Sequence, residues 1–345
     1  MNKVLSSQQA TIFCGIDVSA RSLAAALIGV DQELARREFS NSPAGHKELI
    51  VWLGKRGAKV RVSMEATGIY SLDLALALEG KAGIELAVLN PKLVNRFAQT
   101  LRRSKTDAAD AMVLAEYSQR MPFTAWQRPS VSALRLRSMG RHIESLIGEQ
   151  VSVKNRLSAA RSTTSTPRAV IVDLERAQAA LLRRLRKMRG EAMKLVDADP
   201  DLAKRFKLLI SIPGIAAVSA LQILSELQTL APEMTVRQWV AYCGLDPVHE
   251  VSGTSVHKPS RISRAGNSHL RRALFMPTLS AVRFDPHIRS FHLALKQRHK
   301  TGLQGLLAVE RKLVHAIYGI FKSGKPYDGS LLFPHLEPAL KSIAG

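Results

Sequence analysis

Near residue 130 the spacing of apolar residues changes, and no other feature constrains the fold as much. Before it, short apolar runs of strand length alternate with amphipathic segments. After it come two long runs of helical period, separated only by the Ser/Thr-rich break Ser162 to Pro167. A period of two buries one face of a strand, and a period of 3.6 buries one stripe of a helix. The chain therefore changes architecture along its length.

Residues 1–130 read as strands and helices in alternation. Ile12 to Val18, Leu23 to Val30, Leu34 to Phe39, Lys59 to Met64 and Ile84 to Leu89 have strand patterns, with a turn at Asp31-Gln32. Pro43 opens an amphipathic helix carrying Leu49, Ile50 and Leu53, Ile69 to Leu78 is helical in pattern, and Pro91 starts another helix. This order predicts an α/β layer fold.

Residues 131–205 form a second part. Leu136, Met139, Ile143, Leu146 and Ile147 recur at helical spacing, and Leu174, Leu181, Leu185 and Met188 repeat the pattern beyond the break. Two long helices predict a helical hairpin or coiled coil. Its face with Arg183, Arg184, Arg186, Lys187 and Arg189 suits either plain solvation or a nucleic-acid backbone. Residues 206–345 make the third part, predicted mostly helical. There Ile210 to Ile215, with Pro213-Gly214, followed by Val218 to Leu227, resembles a helix-hairpin-helix. Such a turn can offer backbone N–H groups to a phosphate, or be an ordinary core contact.

Fifty Lys and Arg against 28 Asp and Glu give a formal charge of +22 and a pI near 10.5. Such a field draws polyanions, nucleic acid above all. The three parts carry +5, +8 and +9, so a single basic tail is excluded. Aromatics are only 5%, too few for a protein that stacks many bases on rings. Cys14 and Cys243 cannot build a disulfide framework or a Cys-based zinc site. No run reaches the ~18 apolar residues of a membrane span, and the start lacks the apolar core of a secretory signal. The expectation is a cytoplasmic protein without membrane partners.

In so basic a chain, carboxylates that end apolar strands need an explanation. Asp17 lies at the end of the first strand, Glu65 follows the fourth, and Asp107 and Asp110 share one face at the start of a predicted helix. Two unit charges ~4 Å apart repel by about 4 kcal/mol at an effective dielectric near 20. If the sheet gathers these acids, a cation or a shared proton must accompany them. Oxygen-only ligands on a phosphate-handling protein favour Mg²⁺ or Mn²⁺. Taken singly, Asp107 also suits the helix dipole, Asp17 a turn and Glu65 a helix cap.

Their order, with the flanking residues, resembles the DEDD transposases of the insertion-sequence-110 family. The resemblance rests on Gly15-Ile16-Asp17-Val18, Met64-Glu65-Ala66-Thr67-Gly68, Leu89-Asn90-Pro91 and Lys105-Thr106-Asp107-Ala108-Ala109-Asp110. It continues through Ser211 to Ile215, Cys243 to Pro247, Val251-Ser252-Gly253, Arg261 to Gly266, Leu270 to Leu274, Tyr318-Gly319 and Lys322 to Gly324, from about residue 12 to 328.

The resemblance implies an RNase H-like (RuvC-type) domain over 1–130, a coiled-coil region over 131–205 and a transposase domain over 206–345. It implies that Asp17, Glu65, Asp107 and Asp110 bind the metal and that Ser252 is the nucleophile. It also implies donor and target DNA as substrates, a structured bridge RNA as guide, and assembly as a dimer or tetramer. Val251 departs from the polar residue that many members carry before the serine.

Read by themselves, Ser252-Gly253-Thr254-Ser255 look like a turn. They open a stretch to Glu310 whose only acids are Asp285 and Glu310, against ten Lys and Arg and five His. Within it Arg261, Arg264, Arg271 and Arg272 are candidate nucleic-acid contacts. His249 and His257 flank the serine but have no aspartate partner at local spacing, and read as solvent or backbone contacts. Two other readings stay open: a metal-dependent nuclease or junction resolvase without a covalent intermediate, and a nucleic-acid-binding protein without catalysis.

Overall fold

The computed structural model describes residues 11–29, 33–55, 59–66, 68, 70–101, 107–252, 256–298 and 301–337. The side chains of 33, 107, 108, 249–252 and 256–260 fall outside that description, as does the turn expected at Asp31-Gln32. The chain divides into two compact units, before and after the step from Arg128 to Pro129.

The first unit is built on β1 (Ile12–Val18), β2 (Ser22–Ile28), β3 (Glu33–Ser40), β4 (Val60–Glu65) and β5 (Ile84–Leu89). They lie in the order β3-β2-β1-β4-β5. β1, β2 and β3 are an antiparallel meander, and β4 and β5 run parallel to β1. The parallel step from β3's end back to β4 is made through α1 (Pro43–Gly54), as parallel pairing requires a crossover. This meander followed by parallel strands is the RNase H-like layout expected. Ser42 starts α1 by accepting from the Gly45 N–H at 3.2 Å, with Pro43 in the first turn.

Alternation along the strands sorts their side chains. Cys14, Ile16, Leu23, Leu27, Val62 and Met64 form one core with Leu49 and Leu53 of α1 and Leu74 and Leu78 of α2 (Leu72–Leu78). On the other face Ala26 and Ile28 pack against Ala111, Met112 and Ala115 of α4 (Asp107–Arg120), while α3 (Pro91–Leu101) lies beside α4.

The second unit is mostly helical. α5 (Val131–Arg161) and α6 (Arg168–Asp197) are the expected hairpin. α7 (Pro200–Ile210), α8 (Ala217–Leu227) and α9 (Val236–Tyr242) follow, then a two-stranded hairpin of β6 (Pro247–Ser252) and β7 (Val256–Ile262). α10 (Ser268–Phe284), α11 (Pro286–Gln297), α12 (Gly302–Ser323) and α13 (Gly329–Leu332) complete it. The expected division near 205 does not separate compact units. Leu136, Ile143 and Leu146 of α5 share one core with Leu221 and Leu224 of α8, Leu274 of α10 and Leu313 of α12. The change of period shows where helices run, and it cannot show that two regions bury a common face.

One buried network fixes that join. Glu226 on α8 accepts both arms of the Arg141 guanidinium from α5, at 2.7 and 3.0 Å, and the Asn267 amide at 2.7 Å. Asn267 caps α10 and also donates to the Tyr242 hydroxyl at 3.0 Å. Among the described residues no helix is long and apolar enough to cross a membrane.

Candidate active site

Asp17 and Glu65 stand at the carboxyl ends of neighbouring parallel strands. β1 and β4 are in register up to Ile16–Met64, so these acids lie one step beyond the last pair, on strands about 4.8 Å apart. Alternation turns both toward the face that α4 covers, since Cys14, Ile16, Val62 and Met64 occupy the opposite core. Ser63, between them and the strand interior, shares that face, and its buried hydroxyl has no hydrogen-bond partner among the described residues.

Gly15 decides how close α4 can come. A methyl group there would lie 1.9 Å from the Ala111 carbonyl oxygen and 2.4 Å from the Ala115 nitrogen, so only glycine lets helix backbone rest on strand backbone. α4 runs opposite to β1. Its Ala111 meets Gly15 and shares a cleft with Asp17, while Gln119, two turns on, donates to the Gly29 carbonyl beyond the start of β1 at 3.1 Å. The amino end of α4 thus lies at the same sheet edge as Asp17 and Glu65. Asp110, half-buried, is in its first turn. Asp107 opens the helix one turn before Ala111, and its side chain is outside the described residues.

Asp17 opens into a cleft of about 340 Å³ whose lining includes Ser19, Ser22, Arg36, Arg37 and Glu38. Glu38 stands on Asp17's own cross-strand row, through Ala24. The sequence pattern missed this mixed rim, because β3's register with β2 decides which of its charged residues face the acids. Among the described residues no three His, Cys, Asp or Glu side chains converge as a ready cation cage. The donor chemistry still fits a hard divalent ion, because every candidate ligand is a carboxylate.

Ser252 is in the second unit, as the last residue of β6 and opposite Val256. Ser252 itself thus belongs to a strand, while Gly253, Thr254 and Ser255 of the expected turn lie outside the described residues. The Ser252 side chain is outside the description as well. At the hairpin root two of the motifs prove to be one physical object. The Ser263 hydroxyl donates to the Asp246 carboxylate, and the Ser263 N–H to the Asp246 carbonyl at 2.9 Å. Arg264 N–H donates to the Gly244 carbonyl at 3.1 Å, from a left-handed backbone with φ 52°. A methyl at Gly266 would lie 1.9 Å from the Tyr242 carbonyl oxygen. These contacts clasp the root of the strand that ends in Ser252.

The candidate arginines separate. Arg271 donates to the Cys243 carbonyl at 2.7 Å, and Arg272 pairs with Glu144 at 2.6 Å beside His269. Arg261 lines a groove of about 200 Å³ with Gln304 and Arg311 of α12. Gly214, with φ 97°, seats the turn between α7 and α8 against Pro277 and Ala281 of α10, so that turn is a core contact, while Ala216 to Val218 at the start of α8 are exposed.

Comparison with known proteins covers both units. Residues 14–163 match the family model DEDD_Tnp_IS110, described as a transposase, and residues 206–293 match the Transposase IS116/IS110/IS902 family. The pilin gene-inverting protein of Moraxella bovis is 28% identical over 327 residues, which cover 92% of this chain and 97% of its own. The Moraxella lacunata protein of the same name has the same identity and coverage. An uncharacterized 43.6 kDa protein of insertion element IS110 from Streptomyces coelicolor is 26% identical over 168 residues, 49% of this chain and 40% of its own. Of solved structures, T. thermophilus RuvC in complex with Holliday junction substrate has 15% identity and a TM-score of 0.25, over 30% of this chain and 90% of its own.

Proposed function

Since this chain belongs to the IS110 family of DEDD transposases, enzymes that cut and rejoin DNA, we propose that it recombines DNA through a covalent phosphoserine at Ser252. The observation that supports a metal-dependent site is the pair Asp17 and Glu65, side by side at the ends of parallel strands and facing the helix that carries Asp107 and Asp110, while the role of Ser252 rests on the family resemblance.

In the proposed step the Ser252 hydroxyl gives up its proton and its oxygen forms a bond to phosphorus. The bond from phosphorus to one deoxyribose oxygen breaks, and that oxygen leaves as a hydroxyl. A hydroxyl of another strand then attacks the phosphoserine, which restores the serine and rejoins the DNA. One ester replaces another in each step, so no nucleotide hydrolysis is needed. Asp17, Glu65, Asp107 and Asp110 would hold Mg²⁺ or Mn²⁺, which neutralises phosphate charge when bound. The β6–β7 root clasp holds the serine's strand, and the basic surface holds the polyanion.

Family resemblance also supports a structured bridge RNA that pairs with donor and target DNA, and a dimer or tetramer as the working assembly. Guidance by pairing removes the need for a base-reading code in the protein itself.

The test is a denaturing gel of labelled DNA incubated with the protein, Mg²⁺ and candidate guide RNA. Wild type should give a protein–DNA adduct and exchanged strands, and Ser252→Ala should give neither. Cleavage without adduct, undiminished in Ser252→Ala, would make the protein a metal-dependent hydrolase.

A further inference from the structure

We propose that Asn41 is a positioning residue for the carboxylate pair, bracing Ser19, just after Asp17, against Tyr70, which follows Glu65 at the head of α2. This rests on the carboxylate reading above. The need for a brace comes from the sheet. The β1–β4 ladder ends at Ile16–Met64. Past that point Asp17 is held by its partner Ala24 on β2, and Glu65 by Leu89 on β5, so the two acids are each tied outward, to different neighbours. A cation shared by ligands from separate elements needs their oxygens fixed to within about half an ångström.

Asn41 lies between β3 and α1, far in sequence from both. Its side-chain amide donates one hydrogen to the Ser19 carbonyl at 2.8 Å and the other to the Tyr70 carbonyl at 3.2 Å. Ser19 is the second residue after Asp17, and Tyr70 the fifth after Glu65. The Asn41 main-chain N–H donates to the Arg21 carbonyl at 2.9 Å, a further hold on the stretch after Asp17. With both amide hydrogens used, Oδ1 is left as an acceptor, and Nε2 of His46 meets it at 2.8 Å. That nitrogen therefore carries the ring proton.

His46 is 6% exposed and belongs to the first turns of α1. Burial lowers its pKa, against the pull of Asp73, and favours the neutral ring. One planar amide, locked from behind by a buried imidazole, thus ties Ser19 after one acid to Tyr70 after the other. Asp at 41 keeps the acceptor for His46 and sets a charged oxygen against two carbonyl oxygens. Ala removes every side-chain bond.

The experiment measures Mn²⁺ binding by the full-length protein with calorimetry, and amide hydrogen exchange in peptides spanning Ser19–Ser22 and Tyr70–Leu72. Asn41→Asp and Asn41→Ala should speed exchange in both segments together and weaken Mn²⁺ binding about tenfold, the usual scale for an outer-shell residue. His46→Gln keeps an N–H for Oδ1 and should bind Mn²⁺ more tightly than either. Circular dichroism checks folding, and Asn41→Ser takes the place of any variant that fails it. Loosened segments with unchanged Mn²⁺ affinity would overturn the proposal, as would two segments that respond separately. Asp17→Ala and Glu65→Ala are the reference: wild-type Mn²⁺ binding by both would overturn the carboxylate reading itself. Loss of binding in those two, with full affinity in Asn41→Asp, would overturn only the role of Asn41.

Discussion

Glu226 and Glu310 are both nearly sealed from solvent, at 2% and 1% exposure, yet their carboxyl groups shift in opposite directions. Burial pushes each upward. At Glu226 the Arg141 fork and the Asn267 amide outweigh burial and hold the group below its usual range. At Glu310 the opposing charge is Arg271, whose guanidinium is committed to the Cys243 carbonyl, and the carboxyl is pushed up to about 7. Between pH 4.5 and 7 the folded protein therefore keeps a proton that the unfolded chain releases. Its stability falls as pH rises through that window, by on the order of 3 kcal/mol, and Glu310 adds no slope above it. Glu226 acts with the other sign: its stabilisation is present above the ordinary carboxyl range and disappears as pH falls through its lowered pKa. Urea unfolding across pH 4.5–7 should show the decline in wild type and a flatter profile in Glu310→Gln. An unchanged profile would assign the slope to another group.

Among the elements, what the sequence made legible depends on whether the signal is local. All five strands of the first unit and both long helices were readable, because alternation and helical spacing are written within each segment. Asp17 and Glu65 were readable as strand-end acids for the same reason. The β6–β7 hairpin was not: Pro247, Gly253 and Pro259 interrupt its alternation, and Ser252 reads as a turn until the pairing with Val256 is seen. Equally hidden was the joining of α5, α8 and α10 through Arg141, Glu226 and Asn267, residues 41 to 126 positions apart. That joint carries an element-scale prediction. Arg141→Ala leaves a buried carboxylate without its partner and should cost about 3–5 kcal/mol in chemical denaturation. Arg141→Lys should recover only part of this, since an ammonium cannot reproduce the two-pronged fork. Near wild-type stability in Arg141→Ala would show that the shared apolar core alone joins the helices.

At the scale of the whole molecule, the proposed chemistry is divided: the carboxylates belong to one compact unit and the serine to the other. In a dimer or tetramer the serine of one subunit can then serve the carboxylates of another. Mixing Ser252→Ala subunits with Asp17→Ala subunits should restore strand exchange that neither variant performs alone. No recovery in mixed assemblies would confine each reaction to a single chain. The contact at Gly15 has a consequence on the same scale. Where a side chain spaces two elements, their separation changes with every rotamer and every substitution. Here the strand of Asp17 and the helix of Asp110 touch through main-chain atoms, so their spacing is set by bond lengths and van der Waals radii. Substitutions in the surrounding core can then change its packing without moving one acid-bearing element relative to the other.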